Sequence, residues 1–229
     1  MYINNFLEYT DLNINSSRKD INSMIEDSIK YQFIGICILP QWVFYAKNRI
    51  RRLGIKNLKI ITVPNFSMGG GLEQCDGITD LVCDLADEID FIWNVYEYSD
   101  LKAWDRIEKE LKDIREKTKG KVLKIIIEAY YLRKMDENVY KLGLNNVFKE
   151  ACRLVRESQA NFIKSDSGLF KRPDFDTLLE DTKIIKKYSK DLQVKVSGGV
   201  STKSQVEQLI KAGADRIGTS KALEIIQEK

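Results

Sequence analysis

The chain contains no histidine. That absence excludes Ser-His-Asp and Cys-His activation of a nucleophile, imidazole proton shuttling and histidine-ligated metal sites. Cysteine is sparse, and Cys37, Cys75, Cys83 and Cys152 form no C-x-x-C pair. Neither a zinc knuckle nor a thioredoxin-like motif is therefore present, and four reduced thiols in a cytoplasmic setting are expected. Proline occurs only at positions 40, 64 and 173, and no Pro/Gly/Ser-rich linker divides the sequence, so one domain spanning 1–229 is expected. The longest clean apolar run, Phe33 to Leu39, falls far short of the roughly 20 residues that span a bilayer. The opening Met1-Tyr-Ile-Asn-Asn-Phe-Leu-Glu8 lacks the basic-then-apolar pattern of a secretory signal. Charge of one sign is also lacking. Lys and Arg total 37 against 34 for Asp and Glu, a net +3, which gives no electrostatic footprint for nucleic acid or membrane. An enzyme built from this chain takes its acid, base and nucleophile from Lys, Asp, Glu, Tyr, Cys or Ser.

What is present is an alternation. Short apolar runs at 5–12, 33–39, 58–64, 88–95, 122–128, 161–165, 193–197 and 216–219 have the length and composition of strands. Amphipathic stretches lie between them. Ile21, Met24, Ile25, Ser28 and Ile29 share one helical face, as do Phe175, Leu178, Leu179, Ile185 and Tyr188. Thr202-x-x-Gln205 reads as a capping box opening a helix that stops at Gly213. Eight strands alternating with helices in 229 residues fit either a closed (β/α)8 barrel, for which about 250 residues is typical, or an open doubly wound sheet. No G-x-G-x-x-G follows the first strand, so a single (β/α)8 TIM barrel is the expected fold.

In such a barrel chemistry sits where strands end. Asp90 lies inside the fourth strand, Lys164 inside the sixth and Lys195 inside the seventh, where Val, Ile and Leu are the usual filling. Adjacent strands lie about 4.8 Å apart, so two inward ammonium groups approach to roughly 5 Å. Their repulsion, about 3 kcal/mol at an effective dielectric near 20, amounts to about two pKa units and favours one neutral, nucleophilic amine. The alternative is that either lysine sits at a strand end with its head in water. Asp90 is placed to exchange a proton with a bound water. Lys124, on the intervening strand, is read either as its counter-charge or as a solvated strand start. Glu128 and Asn94 are candidate supporting groups.

The loops after the seventh and eighth strands, Ser197-Gly198-Gly199-Val-Ser-Thr202 and Gly218-Thr219-Ser220-Lys221, stand where barrels often bind phosphate. Glycines there let backbone N–H groups approach an oxyanion. Gly69-Gly70-Gly71 reads as a loop. Cys37 is either an apolar filler or a thiol lining the pocket. Trp93, Tyr96, Tyr98, Tyr130 and Tyr131 form no regular stripe, and those at strand tops are read as pocket walls.

Together, Phe162-Ile-Lys164-Ser-Asp-Ser-Gly168, Val194-Lys195-Val-Ser-Gly-Gly-Val-Ser-Thr202, Ala212-Gly-Ala-Asp-Arg-Ile-Gly-Thr-Ser220 and Ala86-Asp-Glu-Ile-Asp90 resemble the deoxyribose-phosphate aldolases. Leu123-Lys-Ile-Ile-Ile-Glu128 and Gly35-Ile-Cys-Ile-Leu-Pro40 fit as well. The resemblance implies a class I aldolase that interconverts 2-deoxy-D-ribose 5-phosphate with acetaldehyde and glyceraldehyde 3-phosphate, with neither metal nor cofactor. It assigns Lys164 to the Schiff base, Lys195 to lowering the pKa of Lys164, and Asp90 to a water-borne proton relay. Gly198, Gly199, Gly218, Ser220, Ser167, Cys37 and Lys124 make up the expected substrate and phosphate set. The partner is a small phosphorylated aldehyde or sugar, and a homodimer is allowed for.

The chain departs from the family pattern in places. Lys-Thr-Ser-Thr-Gly is replaced by Lys164-Ser165-Asp166-Ser167-Gly168, which predicts that Asp166 opposes the pKa depression and repels an anion. Lys221 is expected to add a phosphate contact. An Asp-His-Thr-Leu-Leu-Lys-like stretch becomes Glu8-Tyr9-Thr10-Asp11-Leu12-Asn13, a Gly-Phe-Pro segment becomes Val63-Pro-Asn-Phe66, and Trp93-Asn-Val-Tyr96 is bulkier than usual. Two further readings stay open: a Schiff-base aldolase for another sugar phosphate or hydroxy-aldehyde, and a non-catalytic barrel that binds a phosphorylated metabolite.

Overall fold

The structure is a computed structural model and describes residues 2–66, 71–95, 97, 104–172 and 174–228. All eight expected strands form: β1 (Leu7–Asp11), β2 (Gly35–Ile38), β3 (Lys59–Thr62), β4 (Glu88–Ile92), β5 (Val122–Ile126), β6 (Phe162–Lys164), β7 (Gln193–Ser197) and β8 (Arg216–Thr219). Each pairs in parallel with its neighbours in chain order, and β8 closes on β1. This is the TIM barrel. Sequence patterning sets the bounds of β1 to β6 too wide by up to three residues at an end and those of β7 and β8 as observed, because buried apolar residues such as Phe33, Leu58, Val63, Val95 and Ile127 continue the runs past the paired segments.

Nine α-helices accompany the strands among the described residues: α1 (Arg18–Tyr31), α2 (Pro40–Arg52), α3 (Leu72–Cys83), α4 (Trp104–Lys117), α5 (Ala129–Met135), α6 (Leu144–Glu157), α7 (Phe175–Ser189), α8 (Lys203–Lys211) and α9 (Ala222–Gln227). Their starts follow local chemistry. Ser17 and Asp20 form a reciprocal capping box on α1, and Thr202 and Gln205 form another on α8, satisfying N–H groups that have no partner inside the helix. On α1, Ile21, Met24, Ile25 and Ser28 are buried, but Ile29 lies at the edge of that face and is exposed. Gly213, just past α8, takes φ +104, a left-handed conformation that glycine adopts without a Cβ penalty.

The apolar core lies between strands and helices, where outward residues such as Ile36, Ile125, Val194 and Ile217 meet Val43, Ile107, Leu154 and Val206. The barrel interior differs. Lys124 and Lys195 are among the largest fully buried side chains of the protein, and register sets Asp90 opposite Lys124 and Lys164 opposite Lys195.

At the opposite, N-terminal end of the barrel a device recurs. The residue just before an even-numbered strand accepts a backbone N–H from the strand preceding it: Asp87 from Ile60 at 2.8 Å, Asn161 from Leu123 at 2.9 Å and Asp215 from Val194 at 2.8 Å. Each acceptor ties one βα unit to the next, Asp87 and Asp215 also pairing with Lys47 and Lys186 of the helices, and lies at the end of the barrel away from Lys164. Asp215→Ala should therefore lower the unfolding free energy by about 1.5–3 kcal/mol, the worth of a hydrogen bond to a charged group, while turnover stays unchanged. Urea midpoints set beside kcat check this.

Candidate active site

Strand alternation turns Glu8, Asp90, Lys124, Lys164 and Lys195 to one side of their strands, the barrel interior. There they meet. The Asp90 carboxylate, wholly buried, accepts from three lysines: Lys124 at 2.8 Å through Oδ1, and Lys164 at 2.9 Å and Lys195 at 2.6 Å through Oδ2. Lys124 also meets Glu88 at 2.5 Å and Glu8 at 3.8 Å, and Lys195 pairs with Glu8. Arg216, entering from β8, bridges Glu8 at 3.0 Å and Glu88 at 2.7 Å. Phe162 floors the cluster, with the Arg216 guanidinium over its ring at 4.8 Å, a favourable cation–π arrangement. Three carboxylates thus face four cations.

The sequence argument for a neutral amine rested on repulsion between two bare ammonium groups. The structure corrects that premise, because Lys164 and Lys195 share one carboxylate oxygen instead of facing each other unscreened. Burial works against the Lys195 ammonium, but the Asp90 and Glu8 carboxylates outweigh it and hold its pKa above the ordinary lysine range. The same balance of burial against Asp90 and Glu8 raises Lys124. Burial alone favours protonated acids, yet the neighbouring lysines win. They hold Asp90 well below the usual carboxylate range and Glu8 at about 2.

Several partners of this network do not stand out in the sequence. Glu8 figures there only in the chain's opening and in the stretch that departs from the family pattern, and Glu88 and Arg216 only within strand runs and the motifs of the resemblance. The signal that could have found them is a lone charge within a run whose alternate positions face inward. Gly218 has a packing role as well, since a Cβ there would lie 3.2 Å from Cε of Lys195. Cys37 is fully buried, and burial pushes its thiol pKa up. It stands as a neutral wall near the ammonium groups.

Lys164 stands at the C-terminal end of β6, at the rim of the interior. One layer deeper, Lys124 is enclosed by its three carboxylates, so the structure does not bring it to the mouth with the rest of the expected substrate set. The loops around the mouth are stitched together. Ser165 Oγ donates to the Ser197 carbonyl at 3.0 Å and accepts the Ser197 N–H at 3.1 Å, and Thr219 Oγ1 donates to the Val200 carbonyl at 2.6 Å. Gly198 and Gly199 take φ +108 and +84, beyond the comfortable range of an L side chain. Gly199 and Ser220 are exposed, Gly198 is half-buried and Gly218 is buried. Ser167 gives its N–H to Glu128 at 3.1 Å, and its hydroxyl accepts from Leu169 N–H at 3.0 Å. Asn94 is not beside the lysines. Its N–H meets Glu110 of α4 at 2.9 Å, next to a cavity of about 540 Å³ also lined by Gly71, Leu72 and Arg106.

Two expectations change. Asp166 does not stand as a free charge beside Lys164: Arg172 donates to its Oδ2 at 2.9 Å and Tyr130 N–H to its Oδ1 at 3.2 Å. Arg172 in turn holds Asp181 at 2.7 Å. Lys221 turns to Glu224 at 2.9 Å, one helical turn away, instead of toward the glycine loops. Trp93 is fully buried and Tyr131 packs on Phe170. Tyr96, Tyr98, Gly69 and Gly70 lie outside the described residues.

With this geometry in hand, comparison with known proteins is informative. Residues 71–227 match the DeoC/LacD family aldolase. Over 231 residues the chain is 31% identical to a deoxyribose-phosphate aldolase of Mycoplasmoides pirum, covering 100% of this chain and 98% of that one. It is 33% identical to the corresponding protein of Mesomycoplasma hyopneumoniae, over 99% and 96% of the two chains. A solved structure described as QR15, an aldolase, superposes with a TM-score of 0.84 at 28% identity, over 99% and 95%. The fold, the lysine-rich interior and these matches agree: the chain belongs to the DeoC/LacD family of aldolases.

Proposed function

We propose that the protein is a class I aldolase that forms its Schiff base on Lys164 and acts on 2-deoxy-D-ribose 5-phosphate. One observation carries the choice of lysine. Lys124 meets three carboxylates and Lys195 two, whereas Lys164 meets Asp90 alone among the described residues. Three carboxylates are balanced by Lys124, Lys195 and Arg216. Lys164 is the cation the cluster does not require, and it stands nearest the mouth. Its neutral amine adds to the C1 aldehyde, and loss of water gives an iminium. Removal of the C3 hydroxyl proton then breaks the C2–C3 bond, the electron pair passing into the iminium as an enamine. Glyceraldehyde 3-phosphate leaves; protonation at C2 and hydrolysis release acetaldehyde. Lys195, held as an ammonium, and Asp90, held as a carboxylate, are the donor and acceptor for the relay through water.

A second reading, a Schiff-base aldolase for a different aldehyde, is favoured by the ground around the glycine loop. The Asp166 carboxylate lies against Gly198, with Oδ2 3.6 Å from where a Cβ would stand. Lys221 is paired with Glu224 and Arg172 with two aspartates. A dianion at that loop gains little there from a free cation. kcat/KM for phosphorylated and unphosphorylated 2-deoxyaldoses distinguishes the readings, and Asp166→Ser should move the preference toward the phosphorylated one.

Lys164→Ala should abolish turnover and the adduct that borohydride traps with acetaldehyde; full activity in that variant overturns the assignment. Lys195→Leu strips Asp90 and Glu8 of a cation in a dry interior. It should cost about 3–5 kcal/mol of stability and at least about a hundredfold in kcat. Urea denaturation and a pH–rate profile check both effects, and an unchanged profile counts against the relay role.

A further inference from the structure

β5 leaves its ladder at one residue. Ile127 N–H donates to the Lys164 carbonyl at 3.0 Å and Ala129 N–H to the Ser165 carbonyl at 2.8 Å. Between them Glu128 adopts φ 52 and ψ 60. A left-handed backbone at a residue with a Cβ costs on the order of 1–3 kcal/mol and persists where its surroundings impose it, commonly at functional sites. The Glu128 side chain is fully buried. Its Oε1 accepts the Ser167 N–H at 3.1 Å, while its Oε2 has no hydrogen-bonding partner. A buried carboxylate oxygen without a donor is costly. The cost falls if that oxygen carries a proton and has a substrate atom to give it to.

Two charged groups face this carboxyl: Lys164 from β6 and Asp166 from the loop that follows. Burial, and then the Asp166 carboxylate, push its pKa up to about 7 against the opposing pull of the Ser167 hydroxyl and N–H and of the Lys164 side chain. Near neutrality the carboxyl is poised to give and regain a proton. The relay of Lys195 and Asp90 is tied to no particular step, and the proton that turns the carbinolamine hydroxyl into water needs a donor.

We infer that Glu128 is a catalytic acid of this site, passing the proton on its unpaired oxygen to the hydroxyl of the carbinolamine formed on Lys164. The inference rests on Lys164 being the Schiff-base lysine. The step balances: the C–O bond breaks, water departs with the Glu128 proton, the nitrogen lone pair forms C=N, and an iminium is left beside a carboxylate. At hydrolysis, water adds to the iminium and returns its proton to Glu128.

The test is the rate at which acetaldehyde forms an adduct on Lys164, followed by quenching the full-length protein with borohydride at timed intervals and weighing it. Glu128→Gln keeps an oxygen for the Ser167 N–H and removes the acid. It should slow adduct formation at least about a hundredfold and abolish a downward bend near pH 7 in the wild-type profile. A Glu128→Gln variant with the wild-type rate and bend overturns the inference and leaves the Schiff base standing. Should that variant not fold, the wild-type profile decides, since no bend between pH 6 and 8 overturns the inference as well. Absence of any wild-type adduct defeats the Schiff-base assignment, and this inference with it.

Discussion

The organisation of the barrel interior depends on one carboxylate that three lysines share. Asp90 lies in a volume that apolar side chains fill in most barrels of this kind, and its charge is tolerable there only because Lys124, Lys164 and Lys195 donate to it. Removing two charges from water is expensive, and a buried pair seldom gains much net stability. A cluster of seven such groups is therefore better understood as an arrangement kept for chemistry. Four of its members hold one another in fixed protonation states: Asp90 and Glu8 ionised, Lys195 and Lys124 charged. Against that background Lys164, with a single carboxylate partner among the described residues, is the lysine we propose to react.

The fold was largely legible in the sequence. Strand runs such as Phe33–Leu39 are buried on both faces, as strands of a parallel barrel are, and the alternation with helices left few architectures. The two cap sequences announced themselves because capping depends on side chains three residues apart. The positions of Lys164, Lys195 and Asp90 were legible for a related reason: each is a charge within a short run of strand-forming residues, where apolar side chains are the usual filling.

What sequence could not supply was the pairing. Treating the two lysines as an isolated couple gave the right neighbourhood and the wrong electrostatics, because the oxygen between them comes from β4, more than seventy residues earlier. Asp166 misled in the same way. Its compensating Arg172 lies only six residues on, yet nothing in the spacing shows that the loop turns back. Glu8, Glu88 and Arg216 carry no signal of their pairing in the sequence, because the acids and the bases they meet come from strands far apart in the chain. Glu128 showed its chain position but not its backbone conformation, which only coordinates reveal.

The link between the chain's two ends has a bearing on how the molecule assembles. Glu8 of β1 is satisfied by Lys195 and Arg216, roughly two hundred residues away in sequence. Until β8 docks against β1, the inner acids on the first half of the chain lack much of their counter-charge. A partly wound barrel is thus penalised electrostatically as well as by its open edges, and sealing the cylinder and neutralising its centre become a single event. Contacts of such long range slow folding, but they also leave little room for a persistent intermediate with a polar, half-built interior.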